Sequence, residues 1–240
     1  MRAMILAAGR GERMRPLTDA MPKPLIPVAG KPLIVWQLER LARAGFVQVV
    51  INHAWLGTML EAALGDGSAF GLEIVYSAET TALETAGGIA TAMPWLGTQP
   101  FLVMNGDVWC DWDPRQALTI ARQFIHPAQL GWLLLVPNPP HHPEGDFVLT
   151  SDSLVQPATG QTGQVDTNCY TFSGIGIYDP LLFAQTPAGQ PAKLAPLLRA
   201  AMVHGQISGA LHTGMWVDVG TPERLARLEQ CVSTLCSKPE

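Results

Sequence analysis

Short apolar runs alternate with segments of helical periodicity over the first half of the chain, and few folds accept that alternation. The runs at 1–8, 46–52, 72–76 and 100–104 are apolar enough to need cover on both faces. Between the first two, Leu33, Ile34, Gln37, Leu38 and Leu41 share one helical face, with Pro32 as its start and Gly45 as its stop. Residues 55–64, 84–93 (up to Pro94) and 113–125 read as further helices, giving βαβαβαβα. The expectation is an α/β fold with a mostly parallel sheet flanked by helices. After residue 130 the texture changes: a strand at 132–136 meets Pro137, Pro139, Pro140 and Pro143, and the polar stretch 156–168 reads as loop. A strand at 170–178, a helix at 192–203 and a short strand at 215–219 follow. Thr221-Pro222 then opens a last helix with an N-cap and a proline at its first position.

Composition narrows the class. With 240 residues, 48% hydrophobic and 15% charged, the chain suits one domain, 1–240, with a full core. Four cysteines, none in a CxxC pair, spell neither a zinc framework nor a redox motif and fit reduced thiols in a cytoplasm. No apolar run reaches the ~20 residues of a membrane span, and the run after Arg2 is too short for an export signal. A net charge of -5 disfavours nucleic acid. That charge is unevenly spread: residues 1–43 hold eight basic and three acidic groups, so a +5 opening precedes a -10 remainder.

The basic opening contains LAAGRGERMRPLT at 6–18, with Gly9, Gly11, Arg10, Arg13 and Arg15 directly after the first strand. Glycines let backbone N–H groups approach an anion closely, and arginines supply forked donors matched to phosphate oxygens. The segment reads as a polyphosphate cradle. It is not the dinucleotide fingerprint, which needs a third glycine where Met14 stands, nor the Gly-Lys-Ser/Thr mononucleotide loop. Pro16, Pro22, Pro24 and Pro27 argue for a wide, extended loop without a helix, and Lys23 between two prolines is aimed at a phosphate from an exposed position.

LAAGxGxRxxPLT followed by PKPL resembles the signature of the sugar-1-phosphate nucleotidyltransferases, the nucleotide-sugar pyrophosphorylases. The resemblance continues through LETAGGI (83–89), FLVMNGD (101–107), FSGIGIYDP (172–180) and WVDVGTPERL (216–225), nearly the whole chain. INHAWLG (51–57), LETAGGI and KLAPLLR (193–199) are most similar to the branch that acts on N-acetyl-α-muramate 1-phosphate in peptidoglycan recycling. The resemblance implies a Rossmann-like mixed sheet, the nucleotide-diphospho-sugar transferase fold. Residues 1–110 would bind nucleotide, and 111–240 would bind the sugar phosphate and end in the last helix. It implies transfer of UMP from UTP to a hexose 1-phosphate with release of pyrophosphate and with Mg2+ as cofactor. Since the attacking phosphate oxygen is already an anion, no general base or covalent residue is needed, and neutralisation and in-line alignment dominate.

Asp107 and Asp218 each end an apolar strand, where open α/β sheets place their sites, and the family puts its metal on the same two positions. Gly9, Gly11 and Arg13 are expected on the β- and γ-phosphates, and Lys23 toward the α-phosphate. By resemblance, base and nucleotide meet Ala7, Ala8 and Gly9 and the loop carrying Thr85, Gly87 and Gly88, where Glu84 replaces a common glycine. Glu84 either contacts the nucleoside or serves as a carboxylate at a helix start. Asn105 is assigned to substrate, and Gly145 and Gly174 match family glycines that let the hexose approach. The family's Glu-Lys-Pro is missing from 151–168, so Lys193 either replaces it as phosphate partner or merely starts a helix.

Weaker features are read blandly. His141-His142 is a proline-rich surface loop rather than a metal site, and Trp36, Trp55, Trp95, Trp132 and Trp216 belong to the core. Trp109, Cys110, Asp111 and Trp112 are placed beside the sugar. The substrates are small molecules, with no nucleic-acid or membrane partner, acting on a monomer or small homo-oligomer. Two rivals stand: a relative using dTTP, GTP or CTP with another sugar or alcohol phosphate, and a catalytically silent nucleotide-sugar sensor. The length also leaves no room for an appended β-helix acetyltransferase.

Overall fold

A computed structural model describes residues 1–124, 128–158 and 168–236. In chain order the elements are β1 (Ala3–Leu6), α1 (Leu17–Ala20), β2 (Pro27–Val28), β3 (Lys31–Pro32), α2 (Leu33–Arg43), β4 (Gln48–His53) and α3 (Gly57–Leu64). Then come β5 (Glu73–Ala78), α4 (Glu84–Leu96), β6 (Phe101–Asn105), β7 (Val108–Cys110), α5 (Arg115–Arg122), β8 (Gly131–Val136), β9 (Phe147–Leu149) and β10 (Val155–Pro157). The chain continues through β11 (Cys169–Tyr178), α6 (Leu194–Val203), β12 (Ile207–Leu211), β13 (Trp216–Asp218) and α7 (Pro222–Cys236).

Among the described residues a nine-stranded mixed sheet carries the fold. Its centre is parallel: β1 lies between β4 and β6, and β5 pairs with β4. Ala3, Met4 and Ile5 of β1 are wholly buried, as expected of a strand covered on both faces. β11 runs antiparallel to β6 and β8, and β12 adds to β8 in parallel. A separate two-stranded ladder, β13 on β7, stands off the main sheet. Helices pack on both faces: Ile34, Leu38 and Leu41 of α2 join Ile5, Ile51 and Leu102, whereas Ile89 of α4 and Leu198 of α6 join Met4, Val103 and Tyr178. A third cluster ties Met14 and Ile26 of the first loop to Leu228 and Val232 of α7. No described helix is long and apolar enough to cross a membrane.

Gly45 stops α2 with φ +86°, and Thr221 opens α7, its hydroxyl accepting from the Arg224 N–H at 3.4 Å. Four expectations need correction. α4 continues through Pro94 to Leu96, because a proline in the last turn forfeits one ladder bond while Leu96 gains burial. The first loop is not fully extended: single turns at Glu12–Met14 and Lys23–Leu25 and the short α1 fit between its prolines. Trp55 and Trp95 are 37% and 39% exposed rather than core, and Trp55 covers the Arg10 guanidinium at 3.6 Å from its ring centroid. The short strands β7, β9, β10 and β12 were not anticipated. Most of the polar 156–168 stretch, residues 159–167, lies outside the described residues.

Burial pushes the Cys110 thiol up to about 11, with the nearby Arg40 guanidinium opposing the shift. Below that value it stays a poorly nucleophilic thiol. Iodoacetamide at pH 8 should therefore label the exposed Cys231 in native protein and spare buried Cys110 and Cys169, and urea should expose all three; mass mapping of the labelled peptides checks this.

Candidate active site

The parallel strands end together: Leu6 is level with Asn52 on one side and Asn105 on the other. Strand order reverses at β1, with β4 and β5 on one side and β6 on the other, which is where an open α/β sheet leaves a crevice beyond its carboxyl ends. There the structure has a cavity of about 390 Å3, walled by Ala7, Ala8, Gly9, Lys23, Asn52, Glu79, Thr85 and Asp107 among others.

Side-chain amides shape this crevice. The Asn52 Oδ1 accepts the Ala7 N–H at 2.9 Å, while its Nδ2 donates to Glu79 Oε1 at 2.7 Å. The other Glu79 oxygen accepts the Leu83 N–H at 2.9 Å, so one buried amide joins the first loop to the segment that starts α4. Gly88 fits beneath because an added Cβ would come within 2.8 Å of both Asn52 and Glu79. On the far side Gln37 of α2 donates from Nε2 to the carbonyls of Asn105 and Val108, at 2.9 and 2.7 Å. That clamp fixes the β6–β7 turn carrying Asp107, and the Gly106 N–H to the Leu6 carbonyl, 2.8 Å, ties the same turn to β1.

Lys23 lies inside this frame. It is only 8% exposed and ion-paired through Nζ to Asp107, not an exposed loop lysine, because its stem packs against Gly11 and the turn it opens faces inward. Gly11 holds φ +70°, and any Cβ there would press on Thr18 and Lys23. Arg10 and Arg15 both pair with Asp19. Arg13 is exposed, and its guanidinium points to Gly220, where a Cβ would lie 3.2 Å from it.

Asp218 meets Asp107 through backbone. β13 aligns Asp218 with Val108, and the Val219 N–H donates to the Asp107 carbonyl at 2.8 Å. The Asp218 carboxylate accepts from Arg224 of α7 at 2.5 Å and lies 3.3 Å from His141 Nε2. Arginine can only donate, so the 2.6 Å contact between Arg224 and His141 makes the imidazole an acceptor. His141 is exposed on the proline-rich loop, as expected, and from there contacts Asp218 and Arg224. Two adjacent strands present two carboxylates, a hard-oxygen donor set suited to Mg2+.

A second cavity, also about 390 Å3, adjoins the first and shares Leu6, Glu84, Thr85 and Asn105 with it. It opens where β11 bulges between Phe172 and Gly176. Gly174, at φ +80°, lets the Asn105 amide lie against it; a Cβ would sit 2.5 Å from Nδ2. Lys193 lines this cavity, as do Asp146 and Tyr178. Asp146 is held by His142 Nε2 at 3.1 Å and by the Phe172 N–H at 2.8 Å. Glu84, at φ +59° where glycine would be relaxed, stands between the two cavities, a strained conformation of the kind that collects at binding sites.

Several assigned residues occupy other places. Gly87 and Gly88 wall neither cavity; a Cβ on Gly87 would strike the Gln190 carbonyl, so it lets the 190–192 segment close on α4. Gly145 packs on Asn138, leaving Asp146 to face the cavity. Trp109, Cys110 and Trp112 are buried and wall neither cavity, and Trp109 packs edge-on against Trp36. Sequence reasoning missed Asn52, Gln37, Glu79 and Asp146. The only available signal was polar residues in otherwise apolar periodic segments.

The pattern of the nucleotidyl transferase family matches residues 2–234. The chain is 58% identical over 227 residues to the N-acetylmuramate alpha-1-phosphate uridylyltransferase of Neisseria meningitidis serogroup B, covering 94% of this chain and 95% of that one. It is 35% identical to the protein of the same name from Caulobacter vibrioides, covering 92% of each. A Bacillus anthracis structure described as a candidate glucose-1-phosphate thymidylyltransferase superposes with a TM-score of 0.81 at 21% identity, over 96% of this chain and 94% of that one. That likeness shows the nucleotide-diphospho-sugar transferase fold.

Asn52→Asp tests the framing amide. It places a second carboxylate against Glu79 and should lower stability by about 1–3 kcal/mol, read as a shifted urea midpoint with unchanged slope.

Proposed function

The chain belongs to the nucleotidyl transferase family, and we propose that within it this protein transfers UMP from UTP to N-acetyl-α-muramate 1-phosphate, releasing pyrophosphate. The near full-length match to the Neisseria uridylyltransferase carries the substrate reading. The site geometry supports the chemistry: Lys23 is paired with Asp107 at the wall of a crevice, the β7–β13 ladder brings the backbone of Asp218 beside that turn, and a second, sugar-sized cavity adjoins.

A phosphate oxygen of the sugar 1-phosphate attacks the α-phosphorus, and the bond to the β-phosphate bridging oxygen breaks. Lys23, buried and already near the carboxylates, holds the α-phosphate as negative charge redistributes there. Arg13 at the Gly220 loop, together with the backbone of Ala8, Gly9 and Gly11, holds the β- and γ-phosphates. Asp107 and Asp218 hold Mg2+, which supplies positive charge to the phosphates when bound. Ala7 and Thr85 wall the nucleoside position. Asn105 and Gly174 sit at the passage between nucleotide and sugar. We place the reaction in the cytoplasm, as a step of peptidoglycan recycling, on a monomer or small homo-oligomer with no nucleic-acid or membrane partner.

A panel of UTP, dTTP, GTP and CTP against muramate, glucosamine, glucose and mannose 1-phosphates, read by pyrophosphate release with EDTA controls, tests the reading. UTP with N-acetylmuramate 1-phosphate should lead, and no turnover of that pair would sink it. Lys23→Met, which keeps the aliphatic stem against Gly11, should lower kcat by about 10²–10³-fold. It should cost only about 1–2 kcal/mol of stability, because the Asp107 left behind is partly solvated. A Lys23→Met enzyme with wild-type turnover would remove the lysine from the chemistry.

A further inference from the structure

The second cavity holds a cation that the phosphate chemistry does not use. Lys23 and Asp107 wall the first cavity and not the second, whereas Lys193 walls the second and not the first. Its ammonium makes no ion pair among the described residues. Of the other charged residues on this wall, Asp146 is engaged by His142 and the Phe172 N–H, and Glu84 stands at the boundary between the cavities. Lys193 is therefore the one basic side chain on a wall that is otherwise apolar, polar or acidic.

Two further features surround that position. Lys193 is the N-cap of α6, and its side chain caps nothing, so the first-turn N–H groups of Leu194 and Ala195 have no intrahelical acceptor at a wall of this cavity. Independently, Tyr178 is 1% exposed yet its hydroxyl has no hydrogen-bond partner among the described residues. The hydroxyl lies over Gly176, where a Cβ would come within 2.4 Å, and the residue forms part of the cavity wall. A buried hydroxyl without a partner costs free energy until something polar reaches it, which marks this wall as ligand-facing.

Resting on the proposed function, we infer that Lys193 and the first turn of α6 receive the lactyl carboxylate of the muramyl sugar, and so select an acidic hexose phosphate over a neutral one. The lactyl ether is the one anionic group of this substrate besides its phosphate. Lys193 is thereby a specificity residue at the sugar's far side, not a substitute phosphate ligand. The charge-assisted contact is uniform between ground and transition state, so it acts on binding.

Wild type, Lys193→Ala and Lys193→Arg are compared with UTP and either N-acetylmuramate 1-phosphate or N-acetylglucosamine 1-phosphate, which lacks the lactyl ether. Calorimetric Kd values for the two UDP-sugars are measured alongside. Lys193→Ala should raise KM for the muramyl substrate about 10–100-fold while kcat moves less than about threefold. Its loss on the neutral sugar should be at least about ten times smaller, the UDP-sugar Kd values should shift in the same ratio, and Lys193→Arg should restore most of the preference. Equal losses on both sugars would make Lys193 a phosphate contact, and no loss on either would make it a bystander; each overturns the inference. If the wild type fails on the muramyl substrate, the proposed function falls, and the inference with it.

Discussion

Parallel strands leave their last N–H and C=O groups without ladder partners at the carboxyl edge, and here two buried amides take that role. Asn52 satisfies the Ala7 N–H and holds Glu79, while Gln37 satisfies the carbonyls on either side of the β6–β7 turn. At Asn52 the amide uses both its acceptor and its donor, and at Gln37 its two N–H donors, in each case without charge in a place too buried for an uncompensated ion. The first loop, the α4 segment and the Asp107 turn are each positioned through one of these two side chains. The Asp107 carboxylate stays partly solvated although the amide that places its turn is buried.

What could be read from the sequence follows from the range of each interaction. Gly11, Arg13 and Lys23 fall within a dozen or so residues, and their chemistry is legible as a local pattern. Asp107 and Asp218 were legible because apolar strands announce where they end. Asn52 and Gln37 were not: their partners lie 45 and 68–71 residues away, and a polar residue in an apolar segment has many explanations until its partner is known. The contacts of the exposed His141 could not be read either, since its partners Asp218 and Arg224 come about eighty residues later. The alternation of apolar and periodic segments predicted the parallel centre of the sheet. The three- to five-residue strands β7, β9, β10 and β12 are too short to carry a period, and they form only because the neighbouring ladder is already there.

The charge asymmetry resolves into individual fates. Arg10 and Arg15 share Asp19, Lys31 and Arg43 share Glu39, and Arg40 reaches the carbonyls of Cys110 and Trp112. These pairs hold loop and helix surfaces and contribute little each. Of the arginines in the first loop, Arg13 is the one directed at the Asp218 loop, and Lys23 is the basic group of this segment buried at the cavity. Most basic groups of the N-terminal segment are thus engaged on its own surface, while Lys23 reaches the crevice and Arg13 the Gly220 turn beside it.

Two carboxylates on neighbouring backbone segments each need a counter-charge, and the structure draws the two counter-charges from segments far apart in the chain. Asp107 has Lys23, from the first loop, and Asp218 has Arg224, from α7. The β7–β13 ladder sets their separation through backbone bonds, so it does not depend on the carboxylates' own attraction for a cation. The Met14, Leu228 and Val232 cluster then packs the loop that supplies Lys23 against the helix that supplies Arg224. Neither cation can be lost from its place without loosening that shared apolar contact. The third core cluster, separate from the two sheet faces, thus holds together the two segments whose cations meet Asp107 and Asp218.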